Sequence, residues 1–316
     1  MWSRAADSYS RNMIEARSLT KQYGKTRAID ELTFTVEPGR VTGFLGPNGS
    51  GKSTTMRLIL GLDSPTSGTV TVLGRRYREL KYPLHTVGAL LDAGDVLGSR
   101  SAAQHLAFLA ASNGIAPRRV DEVLDRVGLT DVAGKKVKGF SLGMRQRLGI
   151  AAAILGDPAI LILDEPVNGL DTEGIRWIRQ TLRAMADEGR TVLLSSHMMS
   201  ETQLVADHLL VLSRGKLMAD QPTREFVERH SEPMVLVRSA DLAELAAAVG
   251  ADRVEIRGDI GTVRGLRSRE VGRIAAARGI ALDELTPIHD SVEDVFTRLV
   301  SGLHTFAPHE SLQESA

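Results

Sequence analysis

Polar and apolar positions alternate from Thr33 to Val36 and stop at Glu37-Pro38-Gly39, a turn signal, after which Val41 to Leu45 is a short apolar run closed by Gly46. Two successive strands are expected there. Ser53 to Leu60 reads as a helix ended by Gly61, and Ser64-Pro65-Thr66-Ser67-Gly68 turns the chain into an alternating strand from Thr69 to Leu73. From Ser101 to Gly156 the spacing is helical, with helices expected over Ala102 to Ala111, Pro117 to Val127 and Leu142 to Leu155. Pro117 suits a first turn and Ser141 an N-cap. After Pro158 the α/β pattern returns: strand Ile160 to Leu163, helix Thr172 to Ala186 with Ile175, Ile178, Leu182 and Met185 on one face, and strand Thr191 to Ser195. Short apolar strands separated by helices imply a mostly parallel sheet covered on both faces.

Beyond Ala219 the chain becomes richer in Arg, Glu and Ala. Strands are expected over Met234 to Arg238, Arg253 to Arg257, Thr262 to Leu266 and Ala281 to Leu285, with helices over Asp241 to Val249 and Arg269 to Arg278. That βαββαβ order fits a small ferredoxin-like α+β unit. A last amphipathic helix, Ser291 to Val300, precedes a polar tail. The expected organisation is one large domain over 13–219 with a helical insertion over 93–156, a small domain over 220–303, and flexible tails at 1–12 and 304–316.

Composition narrows the chemistry. The chain has 316 residues, with 39 Lys plus Arg against 39 Asp plus Glu, so no global field draws it to nucleic acid or to an anionic bilayer. It has no cysteine, which removes disulfides, thiolate zinc sites and a cysteine nucleophile together and is compatible with the cytoplasm. Its longest apolar runs fall far short of the roughly 20 residues that span a bilayer, and Met1 to Asn12 has no apolar core of a secretory signal. Neither nucleic-acid binding nor direct membrane insertion is expected.

Gly46-Pro47-Asn48-Gly49-Ser50-Gly51-Lys52-Ser53 fits the G-x-x-x-x-G-K-[ST] phosphate loop, with an apolar strand before it and a helix after it. Its glycines let backbone N–H groups converge on phosphate oxygens, and the helix that begins with Ser53 and Thr54 adds its positive end. In this chemistry Lys52 reaches the β- and γ-phosphates and Ser53 ligates Mg²⁺. The run Ile160 to Leu163 ends in Asp164-Glu165, at the strand edge where open α/β sheets bind ligands. Asp164 suits Mg²⁺, and Glu165 suits proton abstraction from an attacking water. His197 follows the strand Thr191 to Ser195 and would orient or sense the γ-phosphate. These motifs alone do not separate a kinase, a GTPase and a transport ATPase.

Other residues do. Phe140-Ser141-Leu142-Gly143-Met144-Arg145-Gln146-Arg147, upstream of the acid pair, resembles the L-S-G-G-Q-x-Q-R signature of the ATP-binding-cassette (ABC) family. Asn168-Gly169-Leu170-Asp171 resembles that family's D-loop, and Tyr23 the aromatic residue that stacks on adenine. The resemblance runs from Ala16 to Ala219, and the closing Ser291 to Phe296 is similar to the last helix of the bacterial ABC-2 export group. It implies a P-loop NTPase ABC cassette: a mostly parallel sheet, an antiparallel β subdomain and the helical insertion. Ser141, Gly143 and Asp171 would meet the nucleotide of a partner subunit, giving a homodimer or cassette heterodimer with two ATP molecules between the subunits.

Two departures stand out. Leu142 and Met144 replace the family's usual glycine and glutamine, and Asp92, after Val87 to Leu91, stands where a Mg²⁺-facing glutamine is usual. The resemblance further implies an exporter ATPase on the inner face of the cell membrane, bound to an integral-membrane permease from another gene. Drugs, peptides and lipid-like molecules are the implied cargo. A soluble ABC ATPase of translation or DNA repair is the alternative, and a kinase a third class. For the C-terminal unit, a dimer clamp and a regulatory lid are equal expectations.

Overall fold

The structure, a computed structural model, describes residues 13–94, 96–230, 233–288 and 290–304. The tails expected at 1–12 and beyond His304 lie outside the described residues. The chain divides into two compact units, one ending at Thr223 and the other beginning at Arg224.

In chain order the first unit holds β1 (Ile14–Tyr23), β2 (Thr26–Val36), β3 (Val41–Leu45), α1 (Lys52–Ile59), β4 (Ser67–Val72), α2 (Pro83–Thr86), β5 (Val87–Leu90), α3 (Ala102–Ser112), α4 (Arg118–Arg126), α5 (Leu142–Ile154), β6 (Ile160–Leu163), α6 (Thr172–Asp187), β7 (Thr191–Ser196), α7 (Met199–Gln203), β8 (His208–Ser213) and β9 (Lys216–Pro222). A 3-stranded antiparallel sheet runs β2-β1-β4 and a 6-stranded sheet runs β5-β6-β7-β3-β8-β9. The larger sheet is parallel from β5 to β8, with β9 antiparallel. One apolar cluster joins both sheets to α1: Ile14, Leu32, Phe34, Phe44, Met56 and Ile59 are all buried in it, and the Phe34 and Phe44 rings lie 5.8 Å apart. Each such side chain contributes about 1.5–3 kcal/mol by leaving water. The strand registers decide where chemistry can sit. Leu163 pairs with both Leu90 and Leu194, and Leu45 with Ser196, so β5, β6, β7 and β3 all end at one edge.

The helical insertion, α3 to α5, lies between β5 and β6, and its entries are capped. Ser101 Oγ accepts from Gln104 N at 3.2 Å, and the Gln104 side chain returns to Ser101 N at 3.0 Å. Ser141 Oγ accepts from Met144 N at 3.2 Å, so Ser141 is the N-cap of α5.

The second unit begins one residue into α8 (Thr223–His230) and continues with β10 (Met234–Arg238), α9 (Leu242–Val249), β11 (Val254–Arg257), β12 (Ile260–Arg264), α10 (Ser268–Arg278), β13 (Glu284–Ile288) and α11 (Val292–His304). Its 4-stranded sheet, order β11-β12-β10-β13, is antiparallel throughout, the ferredoxin-like arrangement. Val235, Val237, Leu242, Leu245, Val263 and Val271 form its core.

Three differences from the expected elements have physical causes. Strand β1 was not anticipated because its pairing with β2 carries three register shifts that break the apolar alternation. The last strand lies at Glu284–Ile288 rather than Ala281 to Leu285: among the described residues β13 is an edge strand beside β10, and an edge strand tolerates the N–H that Pro287 lacks. Strand β12 begins at Ile260, ahead of the expected Thr262, because Ile260 and Gly261 continue its ladder opposite Arg238 and Val237 of β10.

Candidate active site

Three loops meet at the shared strand edge. β3 leads into Gly46 to Lys52, β6 into Asp164-Glu165 and β7 into His197, and the three strands are neighbours in the order β6-β7-β3. Lysine, acid pair and histidine therefore lie on the same side of the sheet.

Gly51 is the N-cap of α1 with φ of 107°, and an added Cβ would stand 2.8 Å from the Ala28 carbonyl, so the loop enters its helix by a path that a larger residue would disrupt. No side chain caps α1 and no acidic residue occupies its first turn, so the N–H groups at its start face outward without a competing anion. Lys52 is 6% exposed, and its Nζ donates to Gly46 O at 2.6 Å and to Pro47 O at 3.2 Å, arching over the loop. Burial holds the Lys52 ammonium below its ordinary pKa, against the attraction of Glu165 and Asp164, which acts to raise it. Ser50 Oγ is buried with no hydrogen-bond partner. Ser53 is exposed and Thr54 half-buried at the helix start.

Across the edge, Ser195 Oγ donates to Asp164 Oδ1 and accepts from Glu165 N at 3.0 Å, so one hydroxyl of β7 bridges the acid pair of β6. Glu165 adopts φ of 50°, a left-handed conformation costing a non-glycine residue about 1–2 kcal/mol. Its carboxylate Oε2 lies 2.7 Å from His197 Nδ1 and accepts from His197 N at 3.3 Å. Both carboxylates act electrostatically on Lys52, so the site has a cation at the loop and the acid pair across from it.

The remaining expected residues are placed separately. Ser141 caps α5, and no hydrogen bond joins it to the phosphate loop of the same chain. Gly143 lies against the Gly169 carbonyl, where an added Cβ would stand 2.9 Å away, and the Leu142 side chain packs on Gly169. Asp171 Oδ1 caps α6, accepting from Gly174 N at 2.8 Å. Tyr23 ends β1 46% exposed, with its hydroxyl 2.9 Å from Asp63 Oδ2 and Lys21 Nζ 4.8 Å from its ring centre. Asp92 is exposed beyond β5 and accepts from Gly94 N at 2.7 Å; no bond joins it to Ser53 or Asp164.

Two residues of this site were given no role of their own by the motifs: Ser195, which lies outside them, and Gln146, which lies within the signature run and whose Nε2 donates to Glu165 O at 3.1 Å. Ser195 lies two positions before His197, but Thr191 and Ser196 put two further hydroxyls in the same strand, so the sequence alone did not single it out. Nothing in the helical pattern of α5 points Gln146 at the acid pair.

A family model described as ABC transporter matches residues 29–168, and one described as a domain of unknown function matches residues 233–293. The chain is 35% identical over 299 residues to the bacitracin transport ATP-binding protein BcrA of Bacillus licheniformis, covering 92% of this chain and 98% of that protein. It is 35% identical over 209 residues to the lantibiotic transport ATP-binding protein SrtF of Streptococcus pyogenes, covering 66% of this chain and 90% of that one. Among solved structures, a dimeric ATP-binding cassette in a post-hydrolysis state with ADP and Pi is similar at TM-score 0.62 and 25% identity, covering 67% of this chain and 99% of that chain.

Proposed function

The chain belongs to the ABC transporter family as an ATP-binding, ATP-hydrolysing subunit of its drug and peptide exporter group, and from that premise we propose how it works: two cassettes close head to tail on two ATP molecules and drive export through a separate integral-membrane permease. The observation that carries this reading is the common edge at which β3, β6 and β7 deliver Lys52, Asp164-Glu165 and His197. Alignment with 98% of a transport ATP-binding protein speaks against a role in translation or DNA repair without a permease.

The loop fits a triphosphate. Uncapped N–H groups at the α1 start, the unpartnered Ser50 hydroxyl and the buried Lys52 are donors without acceptors of matching charge, which phosphate oxygens supply. Gly46, Pro47, Asn48, Gly49, Ser50, Gly51 and Thr54 line this cradle, and Tyr23 offers a ring to adenine. Mg²⁺ fits as well. Among the described residues no cluster of three His, Cys, Asp or Glu could hold a metal, and an ion that takes one or two protein oxygens and completes its shell with phosphate and water suits Ser53 and Asp164. Bound there, it would neutralise charge on the β- and γ-phosphates. Asp92, in the loop that follows β5, is the further carboxylate we assign to this ion.

In the hydrolytic step Glu165 accepts a proton from water as that oxygen bonds to the γ-phosphorus and the bond to the bridging oxygen breaks, leaving ADP and Pi. Lys52 moves its N–H donors from the Gly46 and Pro47 carbonyls to the phosphates. His197 keeps Nδ1–H on the Glu165 carboxylate, which can only accept, and with the ring carrying both protons its Nε2–H donates to the γ-phosphate. Ser141, Gly143 and Asp171 act in the partner's site, where the start of α5 offers N–H donors to its γ-phosphate. Among the described residues no helix is long and apolar enough to cross a membrane. From the likeness to transport ATP-binding proteins we place the subunit peripherally on the inner face, held by the permease through the α3 to α5 insertion.

The test is Pi release and gel filtration of the purified chain with Mg-ATP. Glu165→Gln should bind ATP, lose roughly 10²–10⁴-fold in turnover and accumulate as an ATP-bound dimer. Wild-type turnover in that variant would remove Glu165 as the base.

A further inference from the structure

The Glu165 backbone is held from both sides. Its N–H donates to Ser195 Oγ at 3.0 Å, its carbonyl accepts from Gln146 Nε2 at 3.1 Å and from Asn168 N at 3.2 Å, and its carboxylate is paired with His197. Its φ of 50° is one a glutamate does not choose unaided, so these contacts decide where the carboxylate points. Gln146 is 4% exposed, and a carboxamide removed from water needs a hydrogen bond. Only its nitrogen end can face a carbonyl, which settles the orientation of the amide.

Gln146 also lies one turn after Leu142 on α5, and residues four apart share a helix face. Leu142 packs on Gly169 while Gln146 binds the Glu165 carbonyl, so one face of α5 is registered on the segment that follows β6. That same helix begins at Ser141 and Gly143. We propose that Gln146 is a positioning residue for hydrolysis: its amide fixes the backbone that aims the Glu165 carboxylate and ties it to the helix start that meets the partner's nucleotide. The inference rests on the reading of Glu165 as general base.

The experiment compares full-length wild type, Gln146→Met, Glu165→Gln and the double variant for kcat, KM and nucleotide affinity. Gln146→Met keeps the length and removes the donor. It should lower kcat roughly ten- to hundredfold with nucleotide affinity changed less than about twofold, because the base is misaimed while the phosphate loop is untouched. In the Glu165→Gln background the same substitution should cause no further loss, since there is no base left to aim. A second variant, Gln146→Glu, introduces a carboxyl that regains an O–H donor only when protonated, so its kcat relative to wild type should recover as pH falls. Wild-type kcat in Gln146→Met, or an equal fold-loss with and without Glu165, would overturn the proposal. If the wild-type chain turned over no ATP, the reading of Glu165 itself would fall, and the inference with it.

Discussion

His197 Nδ1 lies 2.7 Å from Oε2 of Glu165, and the His197 backbone N–H reaches the same oxygen at 3.3 Å. The pair is a consequence of β6 and β7 being parallel neighbours with Leu163 opposite Leu194. Two residues that the sequence separates are thereby made one unit, in which the imidazole restrains the carboxylate and keeps its other nitrogen for a ligand.

Removing the ring should therefore act on rate rather than on binding. His197→Ala leaves Lys52 and the phosphate loop untouched but releases the Glu165 carboxylate, so kcat should fall roughly ten- to hundredfold while ATP affinity changes little. Steady-state Pi release and equilibrium nucleotide titration read the two quantities. A variant that lost affinity and kept kcat would place His197 in nucleotide binding alone.

Lys52 makes the nucleotide-free protein sensitive to alkaline pH. Burial depresses its folded-state pKa below 10.5, so between the folded value and 10.5 the unfolded chain carries more protons than the native one. Stability must then rise with pH through that window, as the cost of a buried ammonium disappears. Below the folded pKa both states are charged and the penalty is constant. Thermal unfolding of wild type and Lys52→Met, followed from pH 8 upward, should show wild type gaining relative to the variant. Bound nucleotide should flatten the gain, because phosphates favour the charged ammonium. A wild-type stability that fell relative to Lys52→Met over the same range would contradict the assignment.

What was legible in the sequence, and what was not, follows from how far each feature depends on packing. Val41 to Leu45 and Ile160 to Leu163 are short apolar runs ending in glycine or acid, so the strand edges and the residues they deliver could be read directly. Ser141 could be read as a cap because capping is local. The Gln146 to Glu165 bond could not: it depends on how α5 settles against the loop after β6, which no helical period encodes. Strand β1 was hidden by its bulges, and β13 by Pro287. Asp92 was read from its place in a motif, and among the described residues its hydrogen bond is to Gly94 N, within its own loop.

Ser141 has two roles that a single substitution can separate. As N-cap of α5 its hydroxyl accepts from Met144 N, and an aspartate caps as well as a serine does and adds a charge that suits a helix start. Ser141→Asp should therefore unfold at or slightly above the wild-type temperature. In the proposed dimer, however, the added carboxylate would face the partner's γ-phosphate, and two anions in a closed, water-poor pocket repel strongly. ATP-dependent dimerisation on gel filtration and Pi release should both be lost. Ser141→Ala should show the reverse ordering: about 1 kcal/mol of stability lost with the cap, and dimerisation weakened but retained. If Ser141→Asp dimerised with ATP as wild type does, Ser141 would be a cap and nothing more, and the partner's phosphate would have to be met elsewhere.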